Sequence, residues 1–193
     1  SKTVSLVLGD EGRAAFLPQV QRLLQAEHCV VVLDPLAFGE AKFDTRGYLF
    51  ALLLTTVGER PLGIQASQVS NVASWARQFA RDGKVHMVAV GPRCGVIALV
   101  AEALSGSRVA SLTLHGPLGS LKEIIEQNRS IEQSPELFCF GLLEQFDVKQ
   151  MAAMVAPRPL RIVGASDRAK KDLSGLKAWY TTLGKDFDPL DAK

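Results

Sequence analysis

Short apolar runs alternate with longer amphipathic segments along most of the chain. The runs are rich in valine and leucine and lie at Thr3–Leu8, Val30–Leu33, Val85–Val90, Val109–Leu114 and Leu160–Val163. Uninterrupted apolar runs of this length are typical of parallel strands, because such strands are buried on both faces of their sheet. The pattern therefore predicts five parallel strands.

Helical patterns fill the gaps between these strands. Apolar residues recur at helical spacing along one face of Ala14–Gln25, Leu62–Ala80 and Leu173–Leu183. A fourth segment, Cys94–Leu104, is apolar almost all round, as expected of a helix that other elements cover. Strands that alternate with helices predict an α/β fold, with a doubly wound parallel sheet and right-handed crossovers.

The segment Ser120–Ala156 interrupts this alternation. It contains two short helical patterns, Leu121–Asn128 and Val148–Val155, on either side of an aromatic loop. The loop includes Pro135, Phe138, Phe140 and Phe146. An insertion of this size between strands often covers the carboxyl edge of a sheet. Two interpretations stay open: the insertion is lid-like, or its aromatic residues complete the core.

The length of the chain sets its domain organisation. Its 193 residues, of which 47% are hydrophobic and 22% charged, suffice for one globular domain over residues 1–193. The chain starts at Ser1 on the edge of a predicted strand. We therefore expect this chain to be a part of a longer protein. The N-terminal part of that longer protein is then the expected partner of this domain. The compartment cannot be read from this N-terminus.

Charge and cysteine content exclude several classes of function. The formal net charge is +2, and no basic run is interleaved with aromatic residues, so nucleic acid is not an expected partner. The longest apolar stretch, around Tyr48–Thr55, is far shorter than the ~20 residues of a membrane-spanning helix. The three cysteines lack the spacing of metal ligands. We expect no membrane, no metal and no cofactor.

One turn carries the main chemical signal. Gly91-Pro92-Arg93-Cys94-Gly95 has the glycine frame of a G-x-S-x-G turn between a strand and a helix, where the central residue is the nucleophile of a hydrolase. The central residue here is Arg93, whose permanent charge prevents nucleophilic attack. Cys94 lies one residue beyond the apex and has no histidine placed beside it, so a cysteine nucleophile is disfavoured.

Two further segments carry a family resemblance. Phe146–Leu160 resembles the "FD…LAA…APRPLL" stretch of the acetyl xylan esterase-like branch of the α/β-hydrolases. Asp34–Glu40 resembles the "D-x-x-G-x-G-E" turn of the same fold. The resemblance runs from about Val4 to Asp167. It implies an α/β-hydrolase-like fold, activity on carboxylic esters and a secreted or periplasmic location.

The resemblance also implies a topology. The chain would begin at the third strand of the family, which leaves five strands in the flavodoxin-like order 2-1-3-4-5. The turns Gly9–Gly12 and Gly91–Gly95 would then meet between strands one and three, where a working hydrolase has its oxyanion-hole amides. The candidate ligand-binding residues are therefore Gly9, Asp10, Arg93 and Cys94. The ligand itself stays unknown.

The expected triad is incomplete. In this fold the order is nucleophile, acid, histidine, and Asp167 follows the fifth strand at the position of the acid. All three histidines, His28, His86 and His115, precede Asp167, and their sequence contexts favour local packing or exposure to solvent. The family motif has structural uses as well: Asp147 can cap a helix, and Arg158 can bind helix carbonyls or a buried carboxylate.

Three hypotheses follow. The first is a non-catalytic α/β-hydrolase-like domain with a structural or ligand-binding role. The second is a hydrolase of acetyl esters of carbohydrates, whose site is completed by residues outside the chain. The third is a nucleotide- or flavin-binding domain, which the acids of the Gly9–Gly12 turn disfavour because they repel phosphate. We also expect an acidic partner for Arg93, from among Asp10, Glu11, Asp34, Glu40 and Asp167.

Overall fold

A single parallel sheet forms the centre of the molecule. The computed structural model describes residues 3–43, 46–106 and 109–191. The strands are β1 (Val4–Gly9), β2 (Cys29–Val32), β3 (Val85–Val90), β4 (Ser111–His115) and β5 (Leu160–Val163). Every neighbouring pair is parallel, and the spatial order is β2-β1-β3-β4-β5. This confirms the predicted α/β architecture and strand order.

Helices connect consecutive strands, and two more follow the last strand. They are α1 (Leu17–Gln25), α2 (Gly47–Thr56), α3 (Pro61–Ala76), α4 (Pro92–Ser105), α5 (Lys122–Glu126), α6 (Leu142–Gln145), α7 (Val148–Val155), α8 (Asp167–Leu173) and α9 (Leu176–Thr182). Short 3-10 turns lie at Arg13–Phe16, Gly39–Ala41, Arg77–Phe79 and Pro135–Leu137. The predicted helices are confirmed, except that the closing one is two helices, α8 and α9. The sequence did not predict α2.

The main core lies between the sheet and a row of helices. Alternate residues of the strands, such as Leu6, Met87 and Leu112, are fully buried there. Helices α3, α4, α7 and α9 pack against one another in that order across the sheet. Helix α4 is central and buries residues on nearly every side, as its apolar sequence predicted.

Helix α1 packs against β2, and Val7 and Phe16 are buried outside the main core. The structure differs here from the simple amphipathic prediction. No residue of α1 is buried, and Leu17 and Leu24 are 61% and 54% exposed. The apolar face of α1 is thus covered only in part, because β2 is the edge strand of the sheet.

Helix α2 accounts for the longest apolar stretch of the sequence. It packs against α3 and against the turn Pro135–Leu137. Four of its large apolar side chains, Leu49, Phe50, Leu52 and Leu53, are exposed. None of the helices that the structure describes is long and apolar enough to cross a membrane.

The insertion 120–156 packs onto the domain through aliphatic residues. Leu121, Leu137 and Met151 belong to the main core. The aromatic residues Phe138, Phe140 and Phe146 are exposed, and Phe140 is 87% exposed. The interpretation that these aromatic residues complete the core was therefore wrong.

The family motif has the structural roles that its sequence predicted. Asp147 caps α7 and forms a reciprocal capping box with Gln150. Its carboxylate also accepts the Leu121 N–H (2.6 Å) and the Ser120 hydroxyl (2.5 Å), which fixes the start of the insertion. Capping of this kind satisfies N–H groups that have no partner within the helix.

Arg158 joins the end of α7 to α4. Its Nε donates to the Val155 carbonyl (3.2 Å), and its Nη2 donates to the Glu102 carbonyl (2.9 Å). Its Nη1 also pairs with the fully buried Glu102 carboxylate. Both predicted partners of Arg158, helix carbonyls and a buried carboxylate, are thus confirmed.

Candidate functional site

The junction between β3 and α4 has a different geometry from the predicted nucleophile turn. The strand ends at Val90, the helix begins at Pro92, and Gly91 between them has φ 98° and ψ 163°. Arg93 is the second residue of α4, with negative φ. The prediction of an elbow with Arg93 at its apex was therefore wrong. The fixed φ of Pro92 suits the first residue of a helix, so the helix begins there. The chain therefore turns at Gly91, whose positive φ is favourable only for glycine.

Asp10 fills the space in front of this junction. A Cβ atom built on Gly91 would lie 2.5 Å from Cγ of Asp10 and 2.6 and 2.8 Å from its carboxylate oxygens. The carboxylate accepts the N–H groups of Arg93 (3.1 Å) and Cys94 (2.7 Å). The predicted meeting of the two turns between β1 and β3 is thus confirmed. The first free N–H groups of α4 already have an anionic partner.

Burial dominates the ionisation of Asp10. It raises the pKa of the carboxyl above the usual 3.8, and the N–H groups of Cys94 and Arg93 offset only part of this effect.

Arg93 is held by a carboxylate from the insertion. Its Nε donates to Oε1 of Glu136 (2.5 Å) and its Nη2 donates to Oε2 (3.0 Å), a two-pronged arrangement. Glu136 is 1% exposed and the Arg93 side chain 20% exposed. The guanidinium carbon lies 4.1 Å from the ring centre of Phe38, a cation–π contact.

The surroundings keep Arg93 charged. Burial lowers the pKa of its guanidinium, but the hydrogen bonds and charge of Glu136, together with the charges of Asp10 and Cys94, raise it by more. An acidic partner for Arg93 is thus confirmed, whereas the identity of that partner was predicted wrongly. The named candidates were Asp10, Glu11, Asp34, Glu40 and Asp167, and the partner is Glu136.

Asp34 and Glu40 instead join the loops that follow β1 and β2. The Asp34 carboxylate accepts the backbone N–H groups of Arg13 (2.7 Å) and Glu40 (3.0 Å). The Arg13 guanidinium pairs with both acids. A Cβ atom at Gly39, where φ is 48°, would lie 2.1 Å from Oδ2 of Asp34. The turn that resembles the family motif is therefore closed around the Asp34 carboxylate.

Asp167 is the first residue of α8, and its side chain is fully exposed. Lys170 lies 3.5 Å from its carboxylate, and Ser166 caps the helix by accepting the Ala169 N–H (3.1 Å). Among the contacts of the described residues, none joins Asp167 to Arg93 or to a histidine. The structure does not bring the predicted acid position together with the junction.

The histidines have local partners. Nδ1 of His28 lies 2.7 Å from the Ser5 hydroxyl, and Nδ1 of His86 lies 2.7 Å from the Ser111 hydroxyl. His115 ends β4, and its backbone carbonyl accepts the Gly91 N–H (2.8 Å). Burial lowers the pKa of His86 and of His115, which keeps both rings neutral at pH 7.

Cys94 is a poor nucleophile. Its side chain is fully buried, burial raises the pKa of the thiol well above its usual range, and the charge of Asp10 raises it further. The neutral thiol is therefore the stable form, and the thiolate is the reactive one.

A cavity of about 650 Å³ lies beside Arg93. Its walls come from the loop between β2 and α2, the first turn of α2 and the insertion, and include Lys42, Phe43, Arg46, Tyr48, Arg93 and Glu132. Sequence reasoning identified only Arg93 among these, because the others belong to segments without a recognisable motif. In the described ranges, no cluster of three or more histidine, cysteine or acidic residues could hold a metal ion.

Comparison with known proteins identifies the fold. The crystal structure of a candidate acetyl xylan esterase from Bacteroides fragilis NCTC 9343 matches with a TM-score of 0.76 and 15% sequence identity. The chain has an α/β-hydrolase-like fold. The match covers 96% of this chain and 57% of the esterase chain, so this chain spans little more than half of its length. The predicted resemblance is confirmed at the level of fold.

Other comparisons add little. The thioesterase domain of NocB, in a covalent complex with a fluorophosphonate nocardicin G analogue, matches at a TM-score of only 0.38. It has 17% identity, over 84% of this chain and 69% of that one. No protein-family model and no curated protein matches the sequence.

Proposed function

We propose that this chain is a non-catalytic α/β-hydrolase-like domain, related to acetyl xylan esterases, with a structural or ligand-binding role. The observation that carries the proposal is the filled junction. Asp10 occupies the space in front of Gly91, and Glu136 pairs with Arg93 beside it. Acyl transfer needs a nucleophile with a base within hydrogen-bonding reach. Neither Arg93 nor the protonated Cys94 supplies the first of these.

The alternative is a hydrolase of acetyl esters of carbohydrates, completed by residues from elsewhere. An oxyanion at the start of α4 would have to displace the Asp10 carboxylate from the N–H groups of Arg93 and Cys94. Negative charge at that point also opposes a second developing anion. These features favour the non-catalytic domain. A nucleotide or flavin phosphate would meet the same carboxylate.

A larger parent protein belongs to the same proposal. Its N-terminal part would pack beside this domain, and the resemblance to esterases favours a secreted or periplasmic location. Both stay expectations that depend on the sequence of the parent.

An esterase assay tests the proposed function. The purified chain and its full-length parent protein are each given p-nitrophenyl acetate at pH 7.5, and release of nitrophenol is followed. We expect rates equal to the rate in buffer for both. The variants Cys94→Ala and Asp167→Asn serve as matched controls. Turnover abolished by Cys94→Ala would overturn the proposal, and turnover lost with Asp167→Asn would establish the hydrolase instead.

A further inference from the structure

The described lining residues of the cavity beside Arg93 carry more positive than negative charge. Among them, Lys42, Arg46 and Arg93 are cations and Glu132 is an acid. The carboxylate of Glu136 neutralises the charge of the Arg93 guanidinium. In the part of the chain that the structure describes, no ion pair is formed by Lys42 or Arg46. Their charges are therefore available to a ligand.

The first turn of α2 adds to this field. Gly47 and Tyr48 of that turn line the cavity. The helix is ten residues long, and its first turn has neither a capping side chain nor an acidic residue. The start of a helix carries partial positive charge, and its free N–H groups favour an anion. By contrast, the start of α4 already holds Asp10.

The cavity also has aromatic walls. Phe43 and Tyr48 line it, and the Phe43 ring packs against Phe50 with 4.5 Å between ring centres. This contact holds the Phe43 ring in place. A volume of about 650 Å³ lies within the range of cavities that bind small organic molecules.

We infer that this cavity binds a small organic oxyanion, with a carboxylate, phosphate or sulfate group on a ring-shaped body. Lys42 and Arg46 bind the oxyanion through charge-assisted hydrogen bonds, with the start of α2 behind it. Phe43 and Tyr48 contact the ring. Glu136 fixes Arg93 as one wall of the cavity. The inference rests on the ligand-binding role within the proposed function and names the class of ligand.

Fluorescence titration of the full chain tests the inference. The anionic probe is 8-anilinonaphthalene-1-sulfonate, and the neutral probe of similar shape is N-phenyl-1-naphthylamine. We expect the double variant Lys42→Gln/Arg46→Gln to lower the affinity for the sulfonate by about tenfold or more, because two charge-assisted contacts are lost. Affinity for the neutral probe should stay unchanged. Displacement of the bound sulfonate probe by benzoate, inorganic phosphate or sulfate ranks the three acidic groups by their affinity for the cavity.

The matched control is Arg22→Gln/Lys185→Gln, which removes the same charge from exposed positions away from the cavity. We expect it to bind both probes like the wild type. Thermal unfolding of every variant excludes loss of the fold as the cause. Unchanged sulfonate binding in Lys42→Gln/Arg46→Gln, or an equal loss in the control, would overturn the inference.

These outcomes are independent of the esterase assay. Affinity is measured without any reaction, and Lys42 and Arg46 have no part in the filled junction. Turnover of an ester together with charge-dependent binding would refute the proposed function and leave the oxyanion site standing. Absence of both turnover and charge-dependent binding would refute the oxyanion site alone.

Discussion

Glu136 holds the guanidinium of Arg93 with both of its carboxylate oxygens, although 43 positions separate the two residues in the sequence. The pair joins the insertion 120–156 to the first turn of α4. Glu136 is almost completely buried, so its charge depends on Arg93 for compensation. The contact thus fixes the turn Pro135–Leu137 of the insertion against the start of α4.

The first prediction concerns this pair. Arg93→Ser leaves the Glu136 carboxylate buried without its cation and removes the contact with Phe38. We expect the free energy of unfolding to fall by about 2–3 kcal/mol, more than most surface substitutions cost. Urea unfolding followed by circular dichroism measures the change. The slope of the unfolding free energy against urea concentration should be the same in the variant and the wild type.

The double variant Arg93→Ser/Glu136→Gln is the control for this measurement. Because it removes the buried charge together with its partner, we expect it to recover about 1 kcal/mol or more relative to Arg93→Ser. Equal stability of the two variants would show that the ion pair contributes little and that packing explains the loss.

A second prediction uses the ionisation of Asp10. Its pKa in the folded protein is raised by burial above the usual 3.8 of the unfolded chain. The folded state therefore binds a proton more tightly than the unfolded state. The stability contributed by this proton is fully present below about pH 3.8 and is lost as the pH rises through the raised pKa.

Asp10→Asn removes this titration. We expect the difference in unfolding free energy, wild type minus Asp10→Asn, to decrease as the pH rises above about 3.8. Urea unfolding of both proteins at each pH gives the difference directly. A difference that grows with pH would mean that the N–H groups at the start of α4 outweigh burial, and that the pKa is lowered.

The third prediction concerns His86 and His115, whose pKa values are lowered from 6.5 mainly by burial. On acidification, these two imidazole rings take up protons at a higher pH in the unfolded chain than in the folded protein. Their stabilising contribution is present above pH 6.5 and is lost as the pH falls through the folded pKa values. We expect His86→Gln/His115→Gln to lose less stability than the wild type between about pH 6.5 and 5. If the unfolding free energy of the two proteins changed equally with pH, the lowered pKa values of His86 and His115 would be contradicted.

The fourth prediction concerns Cys94. Its thiol is fully buried and has a strongly raised pKa, whereas Cys29 and Cys139 are only half-buried. We expect iodoacetamide to modify Cys94 in the native protein only as fast as the chain unfolds. Peptide mass spectrometry after timed labelling, with a sample in urea as the control, measures the three rates. Native Cys94 that reacts as fast as Cys139 would refute the prediction.

The sequence specified the sheet because its strands are short, apolar and clearly separated. Val85–Val90 and Leu160–Val163 were predicted to the residue. Helix α2 was missed because its sequence is apolar at almost every position, so no periodicity distinguishes a helix from any other buried segment. Asp147 was assigned correctly because its capping contacts follow from the start of α7, and the contact of Arg158 with the Val155 carbonyl follows in the same way from the end of α7.

The candidate site was predicted less well. Glu136 has no local signal, since its contact with Arg93 exists only once the insertion has folded over α4. The sequence does contain a signal for the position of the junction between β3 and α4. Pro92 suits the first position of a helix, which moves the turn to Gly91 and places Arg93 inside the helix.

The contact between Asp10 and Gly91 bears on any attempt to place a serine nucleophile at this junction. A serine at position 91 would need the unfavourable φ of 98° and would collide with the Asp10 carboxylate. A serine at position 93 would lie on a regular helix and leave Glu136 without its cation. Each step by itself destabilises the protein without creating a nucleophile beside a base. Under the proposed function, several coupled substitutions therefore separate this domain from hydrolase chemistry, and a mutant library built one residue at a time has no productive first step.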